Sequence, residues 1–221
     1  MENIRFFART IVRKPLCLFA LGLTPLVFYE ADPTSDSFLL GASLSAVGIL
    51  LRLITAGFQK DPFRFEITGP YRFVRHPFHF ATFLIMMGVC IAARGQWSAI
   101  YVLVGVLTLY RHCCRSEDDS HERLWGPRYR EYKTYISAFI PNILPVAGSA
   151  PEKFSVHRFL TTKYRPELDI AAFIIVGYGA LYLIKDGTLD RGLNWICSAL
   201  MVLLLLGRLY VMVLNRRMIL K

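Results

Sequence analysis

The sequence lacks a glycine-rich loop behind a strand pattern, which excludes a Rossmann-type cofactor domain. Its five cysteines, at 17, 90, 113, 114 and 197, follow no metal-site spacing. Three of them lie in apolar runs and read as small hydrophobes. Cys113 and Cys114 sit between arginines, a setting that can lower a thiol pKa, but adjacent cysteines make a poor ligand set. No small-residue cleavage site follows the first apolar run, so no cleavable signal peptide is expected. Acidic residues are scarce, 16 against 26 lysines and arginines, which leaves a net charge of +10. Such an excess often marks a nucleic-acid surface. Here the basic residues alternate with apolar runs, and no nucleic-acid partner is expected.

Apolar residues are plentiful. They make up 54% of the 221 residues, and mean hydropathy is +0.40. The length suits one domain, or one domain with an appendage. Apolar segments run over 11–29, 38–58, 78–93, 97–113, 170–184 and 193–214. The second and sixth match the roughly 20 residues needed to cross about 30 Å of hydrocarbon. The third, fourth and fifth are short. Only Arg94, Gly95 and Gln96 separate the third from the fourth, a tight helical hairpin. The expected fold is therefore all-α, a polytopic membrane bundle of about six segments.

With six spans, nearly all basic residues fall on one side. The exceptions are Arg94, Lys185 and Arg191 outside, and Arg52 and Arg208 within spans. The positive-inside rule then puts both termini in the cytoplasm. The terminal basic residues would orient the chain and touch anionic lipid headgroups. Arg52 and Arg208 either snorkel to those headgroups or serve a polar lining or ion pair. The expected organisation is an N-terminal helix and outer loop over 1–37, a core over 38–145, and a linker with two further helices over 146–221.

Two inner stretches carry chemistry. In the first, Gly69 and Pro70 mark a turn before Tyr71, Arg72, Arg75, His76, Pro77 and His79. Pro77 suits the first turn of a helix and pushes His76 toward an extended conformation at its mouth. That mouth, with Arg75 and His76 beside it, suits an anion such as a carboxylate. In the second, helical spacing puts Glu117 and His121 on one face and Asp118 with Glu122 on the next. Tyr129, Tyr132 and Tyr135 recur every three residues after Gly126 and Pro127. With Trp125 they form either an interfacial belt or an aromatic wall around a planar ligand. His112, Glu117, Asp118 and His121 match no strong metal motif, so no metal is expected.

These two stretches resemble the isoprenylcysteine carboxyl methyltransferase and phospholipid methyltransferase group of membrane enzymes. In GPYRFVRHPFHFA, residues 69–81, Gly69, Tyr71, Arg75, His76 and Pro77 match the group's pattern. His79 and Ala81 stand where tyrosine and glycine are usual. In residues 117–141, Glu117, Asp118, Trp125, Gly126, Tyr129, Tyr132 and Pro141 hold the second pattern's places, and His121 stands where leucine is common. The likeness covers about half the chain.

The resemblance implies S-adenosylmethionine bound at the cytoplasmic membrane face. Tyr71, Arg75, His76 and Pro77 would be part of the cofactor cradle, Glu117 and Asp118 the acidic pair near cofactor and acceptor, with Asp118 on the cofactor side, and Tyr129 and Tyr132 the cytoplasmic cover. Glu117 and His76 are the candidate catalytic groups, able to take a proton from the acceptor. The expected activity is methyl transfer to a lipid or lipidated thiol, carboxylate or amine. The alternatives are a nicotinamide-dependent relative of sterol reductases and a non-enzymatic transporter or structural membrane protein.

Overall fold

Prolines and glycines punctuate the chain where its helices begin and end. The computed structural model describes residues 15–58, 67–106, 108, 111–146, 154, 165–187, 199, 202, 203 and 206. Its helices are α1 (Pro15–Glu30), α2 (Ser35–Phe58), α3 (Pro77–Ala93), α4 (Gln96–Gly105), α5 (Arg111–Trp125), α6 (Pro127–Tyr135) and α7 (Arg165–Lys185), with a 3-10 turn at Gly69–Arg72. Pro15, Pro77 and Pro127 each open a helix, where the missing N–H costs nothing. No strand occurs among the described residues, which agrees with the all-α expectation. The chain divides into two compact units. One comprises Met1–Gly41, Val89–Gly105 and Ile175–Lys221; the other comprises Ala42–Gly88 and Val106–Ile174.

In the first unit α1 packs against α4, with the rings of Phe19 and Tyr101 stacked at 4.5 Å. The α4 N-terminus is capped from a distance in sequence. Both Glu30 carboxylate oxygens accept backbone N–H bonds, from Trp97 and Ser98, each at 2.8 Å. An acceptor with negative charge satisfies the orphan donors and complements the helix dipole. The linking residue Arg94 takes the left-handed conformation, with φ 57°, and Asp32 N–H donates to the Ala93 carbonyl at 3.1 Å.

In the second unit Ser45 Oγ donates to the Ile85 carbonyl at 3.1 Å, drawing α2 onto α3. The approach depends on Gly48, where a Cβ would stand 2.8 Å from the Ala81 carbonyl oxygen. Arg52 donates to the Phe78 carbonyl at 3.2 Å and to the Thr82 hydroxyl, with its guanidinium over the Phe78 ring. The stretch after α6 fastens the segment before α3. Ser137 and Phe73 carbonyls accept from Arg75 N–H and Asn142 N–H at 2.9 and 2.8 Å. The α5–α6 corner turns at Gly126, whose φ of 56° suits glycine. Across it Lys133 pairs with Glu122 at 3.1 Å. A cavity of about 660 Å³ lies in this unit, lined by Leu51, Ile54, Phe58, Phe73, Phe80 and Pro141 among others.

The expectation of six membrane segments is overturned. Among the described residues only α2 has both the length and the apolarity to cross a bilayer. At segments 11–29, 78–93 and 97–113 the helices have 16, 17 and 10 residues among the described ones, with 11–14, 107, 109 and 110 outside them. Helix α7 has 21 residues, of which Ile174–Lys185 form the apolar part searched among the described residues. Segment 193–214 lies outside the described residues apart from 199, 202, 203 and 206, and Arg208 lies outside them too. The apolar window of α2 is 22% buried, with Leu39, Leu40, Val47 and Leu50 exposed. A single such helix is weak ground for any membrane topology.

Sidedness falls with the span count, because the positive-inside rule needs loops that alternate between two faces. The multi-pass localisation, the cytoplasmic placement of both termini, and the membrane-lipid, lipidated-substrate and anionic-headgroup partners therefore lose their basis. Arg52 shows the change locally: its guanidinium binds a backbone carbonyl and a hydroxyl of its own chain.

The Glu30 cap gives a direct test of this packing. Replacing Glu30 with Ala leaves two N–H groups of α4 without their acceptor and should cost about 1 kcal/mol. Chemical denaturation measures it, and Glu30→Gln, which keeps one acceptor oxygen, should fall between the two.

Candidate functional site

The chain brings its two polar stretches together through the start of α3 and the middle of α5. His76 precedes Pro77, and its carbonyl accepts from His79 and Phe80 N–H at 3.1 Å each, opening the helix. Its imidazole is held between two carboxylates. Nε2 lies 2.9 Å from Asp118 Oδ1, and Nδ1 lies 3.1 Å from Glu117 Oε2. The second oxygen of Glu117 meets His79 Nε2 at 3.0 Å. Asp118 also accepts from the Tyr129 hydroxyl at 2.5 Å, and Arg75 Nη2 stands 3.5 Å from its other oxygen.

Exposure divides this cluster. The His76 side chain is 4% exposed and that of Asp118 9%, whereas Glu117 is 47% exposed. One imidazole nitrogen thus faces a buried carboxylate and the other a carboxylate open to solvent. Only the imidazolium can donate from both nitrogens at once. Burial pushes the His76 pKa down, but hydrogen bonds and charge from Asp118 and Glu117 outweigh it and hold the imidazole above its ordinary value. Burial likewise opposes ionisation of the carboxylates. Bonds from His76 and His79 hold Glu117 well below the usual range, and bonds from His76 and Tyr129 hold Asp118 low.

An aromatic group backs the carboxylates. His121 packs on Trp125 at 4.6 Å and meets the Tyr129 ring at 5.4 Å. Burial lowers the His121 pKa, more than the nearby carboxylates restore. Tyr129, Tyr132 and Ile136 form a buried core with Ile67, Trp125 and Val146 against it. Tyr132 donates to the Tyr71 carbonyl at 2.7 Å, tying α6 to the 3-10 turn. Burial raises the Tyr132 phenol; burial and the Asp118 bond raise that of Tyr129.

Of the expected site residues, Arg75, His76, Glu117, Asp118 and Tyr129 meet in one connected network. Tyr71 and Tyr132 join it through the backbone bond, and Pro77 is buried as the first residue of α3. Tyr135 departs from the tyrosine face and is 62% exposed. Three-residue steps fall short of a 3.6-residue turn, so six residues carry it about a third of a turn away. His112 is exposed on α5 and takes no part in the network.

Two contributors lie outside the expected site residues. His79 pairs with a carboxylate 38 positions away. Cys114 is buried, and its sulfur lies within 4.8 Å of ligand nitrogens of His76 and His79. Both nitrogens of His76 and Nε2 of His79 already meet carboxylate oxygens. Cys113 is no activated thiol: burial first, and the Glu117 charge second, push its pKa up.

No family model, no curated protein and no solved structure matches the chain. Membership of the isoprenylcysteine carboxyl methyltransferase and phospholipid methyltransferase group, implied by two short motif blocks, is accordingly not upheld. Motifs of this length bring residues together without fixing the chemistry built on them. The membrane methyltransferase, its lipid acceptor and its cytoplasmic membrane face are overturned together, because the fold they require has six spans and the described residues provide one candidate.

The network should leave a mark on stability. His76 is raised above 6.5, so its contribution is complete below that pH and is lost as pH rises through the folded value. Glu117 and Asp118 are lowered from 4.5 and 3.8, so theirs is complete above those values and is lost as pH falls through the folded ones. Thermal melts should therefore show greatest network stabilisation between pH 4.5 and 6.5. Asp118→Asn should flatten the fall on both sides.

Proposed function

We propose that the His76 cluster is a ligand-binding proton-transfer centre. His76 exchanges a proton with the bound ligand, and Glu117 is its partner on the open side. Arg75, Asp118 and Tyr129 hold the imidazole, while Tyr71, Pro77 and Tyr132 shape the wall. The observation that carries this reading is a buried imidazole bridging one buried and one exposed carboxylate. A purely structural ion pair would need only one of them, and perturbed groups gathered in one place are the usual signature of a working site.

S-adenosylmethionine is the cofactor that belongs to this proposal. The residues present fit it: Arg75 Nε is buried without a hydrogen-bond partner among the described residues, a donor suited to a carboxylate. The half-exposed Glu117 and the partly buried ring of Trp125 suit a sulfonium cation and a planar base. When bound, the cofactor would supply a sulfonium activated for group transfer. The chain's own part is to orient the ligand and to take or give a proton at His76 Nδ1. Neither a lipid acceptor nor a membrane face belongs to the proposal.

Calorimetric titration of the full chain with S-adenosylmethionine tests it. Saturable binding at one site is expected, weakened at least about tenfold, or 1.4 kcal/mol, by Arg75→Ala or His76→Ala. Absence of binding up to millimolar cofactor, with the chain folded, would remove the cofactor assignment. Equal affinity in both variants would remove the residue roles.

A further inference from the structure

His76 is shut off from water by its surroundings. The Nε2 side is closed by Asp118, itself buried under the Tyr129 hydroxyl and the Arg75 guanidinium. On the Nδ1 side the group that bonds the ring is Glu117, 47% exposed, while the neighbouring His79 ring, 5.8 Å away, is 15% exposed. His121 and Cys114 also border the cluster, and Cys113 lies near Glu117. A proton leaving or entering at Nδ1 therefore passes through Glu117 Oε2.

Glu117 needs help to stay there. It stands on α5 as a half-exposed side chain with several rotamers, and water competes for its oxygens. His79 supplies the second hold. It lies three residues beyond His76, just inside α3, is 15% exposed, and binds the oxygen that His76 does not use. One carboxylate is thus clamped by two imidazoles from the same helix start.

We propose that Glu117 is the proton port of His76 and that His79 is the positioning residue that keeps the port in register. This rests on the proton-transfer reading of the site. In the outward step the Nδ1–H bond of His76 breaks and an Oε2–H bond of Glu117 forms, leaving a neutral imidazole and a carboxylic acid. The acid then gives the proton to water and returns to carboxylate, while Nε2–H stays with Asp118. The inward step is the reverse. No oxidant, metal or further co-reactant enters. The bonds from the two imidazoles favour the carboxylate, so its protonated form is a short-lived carrier rather than a resting state.

Nitrogen-15 NMR of the imidazoles in the full chain reads both parts. It gives the titration midpoint of His76 and the exchange rate of its Nδ1 proton with water. Glu117→Gln keeps a hydrogen-bond acceptor but cannot relay, so exchange should slow at least about tenfold and the midpoint should fall. His79→Phe fills the space without a hydrogen bond and should move both readings in the same direction by a smaller amount. His79→Gln, which restores a donor, should bring exchange back to within about twofold of wild type. A merely structural His79 would change the melting temperature and leave the exchange rate alone.

Unchanged exchange and midpoint in both Glu117→Gln and His79→Phe would overturn the port. If His79→Phe does not fold, Glu117→Gln alone decides, since its side chain is half exposed and needs no repacking. One-to-one uptake of Zn²⁺ that is abolished by Cys114→Ser would also overturn it, by placing a metal where the port is drawn. The parent reading fails separately, if Asp118→Asn leaves the His76 midpoint unmoved or His76→Ala leaves S-adenosylmethionine binding intact.

Discussion

The contact between His76 Nε2 and Asp118 Oδ1 is the constraint on which the second unit depends. Both side chains are buried, and a buried charge without its partner is costly. Neither can move without exposing the other, so the start of α3 and the middle of α5 are fixed together. The remaining contacts follow from that registration. Tyr129 reaches Asp118 only because α6 folds back at Gly126, and Tyr132, one turn further on, then meets the Tyr71 carbonyl. The stretch beyond α6 closes the arrangement by pairing with the backbone of residues 72–75.

The same constraint divides the site into a fixed side and a responsive side. Asp118 is surrounded by donors from Arg75, His76 and Tyr129, which stabilise its charge and hold the imidazole in one orientation. Among the described residues Glu117 is held by two imidazoles, and its side chain is 47% exposed. Two adjacent carboxylates on one helix thereby acquire different tasks, because residues 100° apart on a helix face different surroundings. One orients and the other communicates. A ligand that enters from the open side would meet Glu117 first.

Much of the site was legible in the sequence. Pro77 and Pro127 mark helix starts, Gly126 marks the corner, and the pairing of an Arg-His-Pro stretch with an acidic helix named most of the network. What escaped were partners set by the fold. His79 looks like a replaced aromatic until Glu117 is seen beside it, and Cys114 was judged against Cys113 rather than against two histidines. Glu30 gives no local sign that it caps α4. The membrane architecture was misread for a different reason. Hydropathy marks six apolar segments, three of them short, whereas among the described residues only α2 has both the length and the apolarity to cross a bilayer. The sorting of basic residues to one side then inherited the error, because it presupposed six crossings.

A double-mutant cycle between His76 and Asp118 tests the central claim most directly. Denaturation of the wild type, His76→Ala, Asp118→Asn and the double variant at pH near 6 gives the coupling between the two side chains. If this pair holds the second unit together, the coupling should be about 2–3 kcal/mol, with each single variant nearly as damaging as the double. A coupling under about 0.5 kcal/mol, with additive losses, would show that the helices are registered by other contacts and would contradict the account.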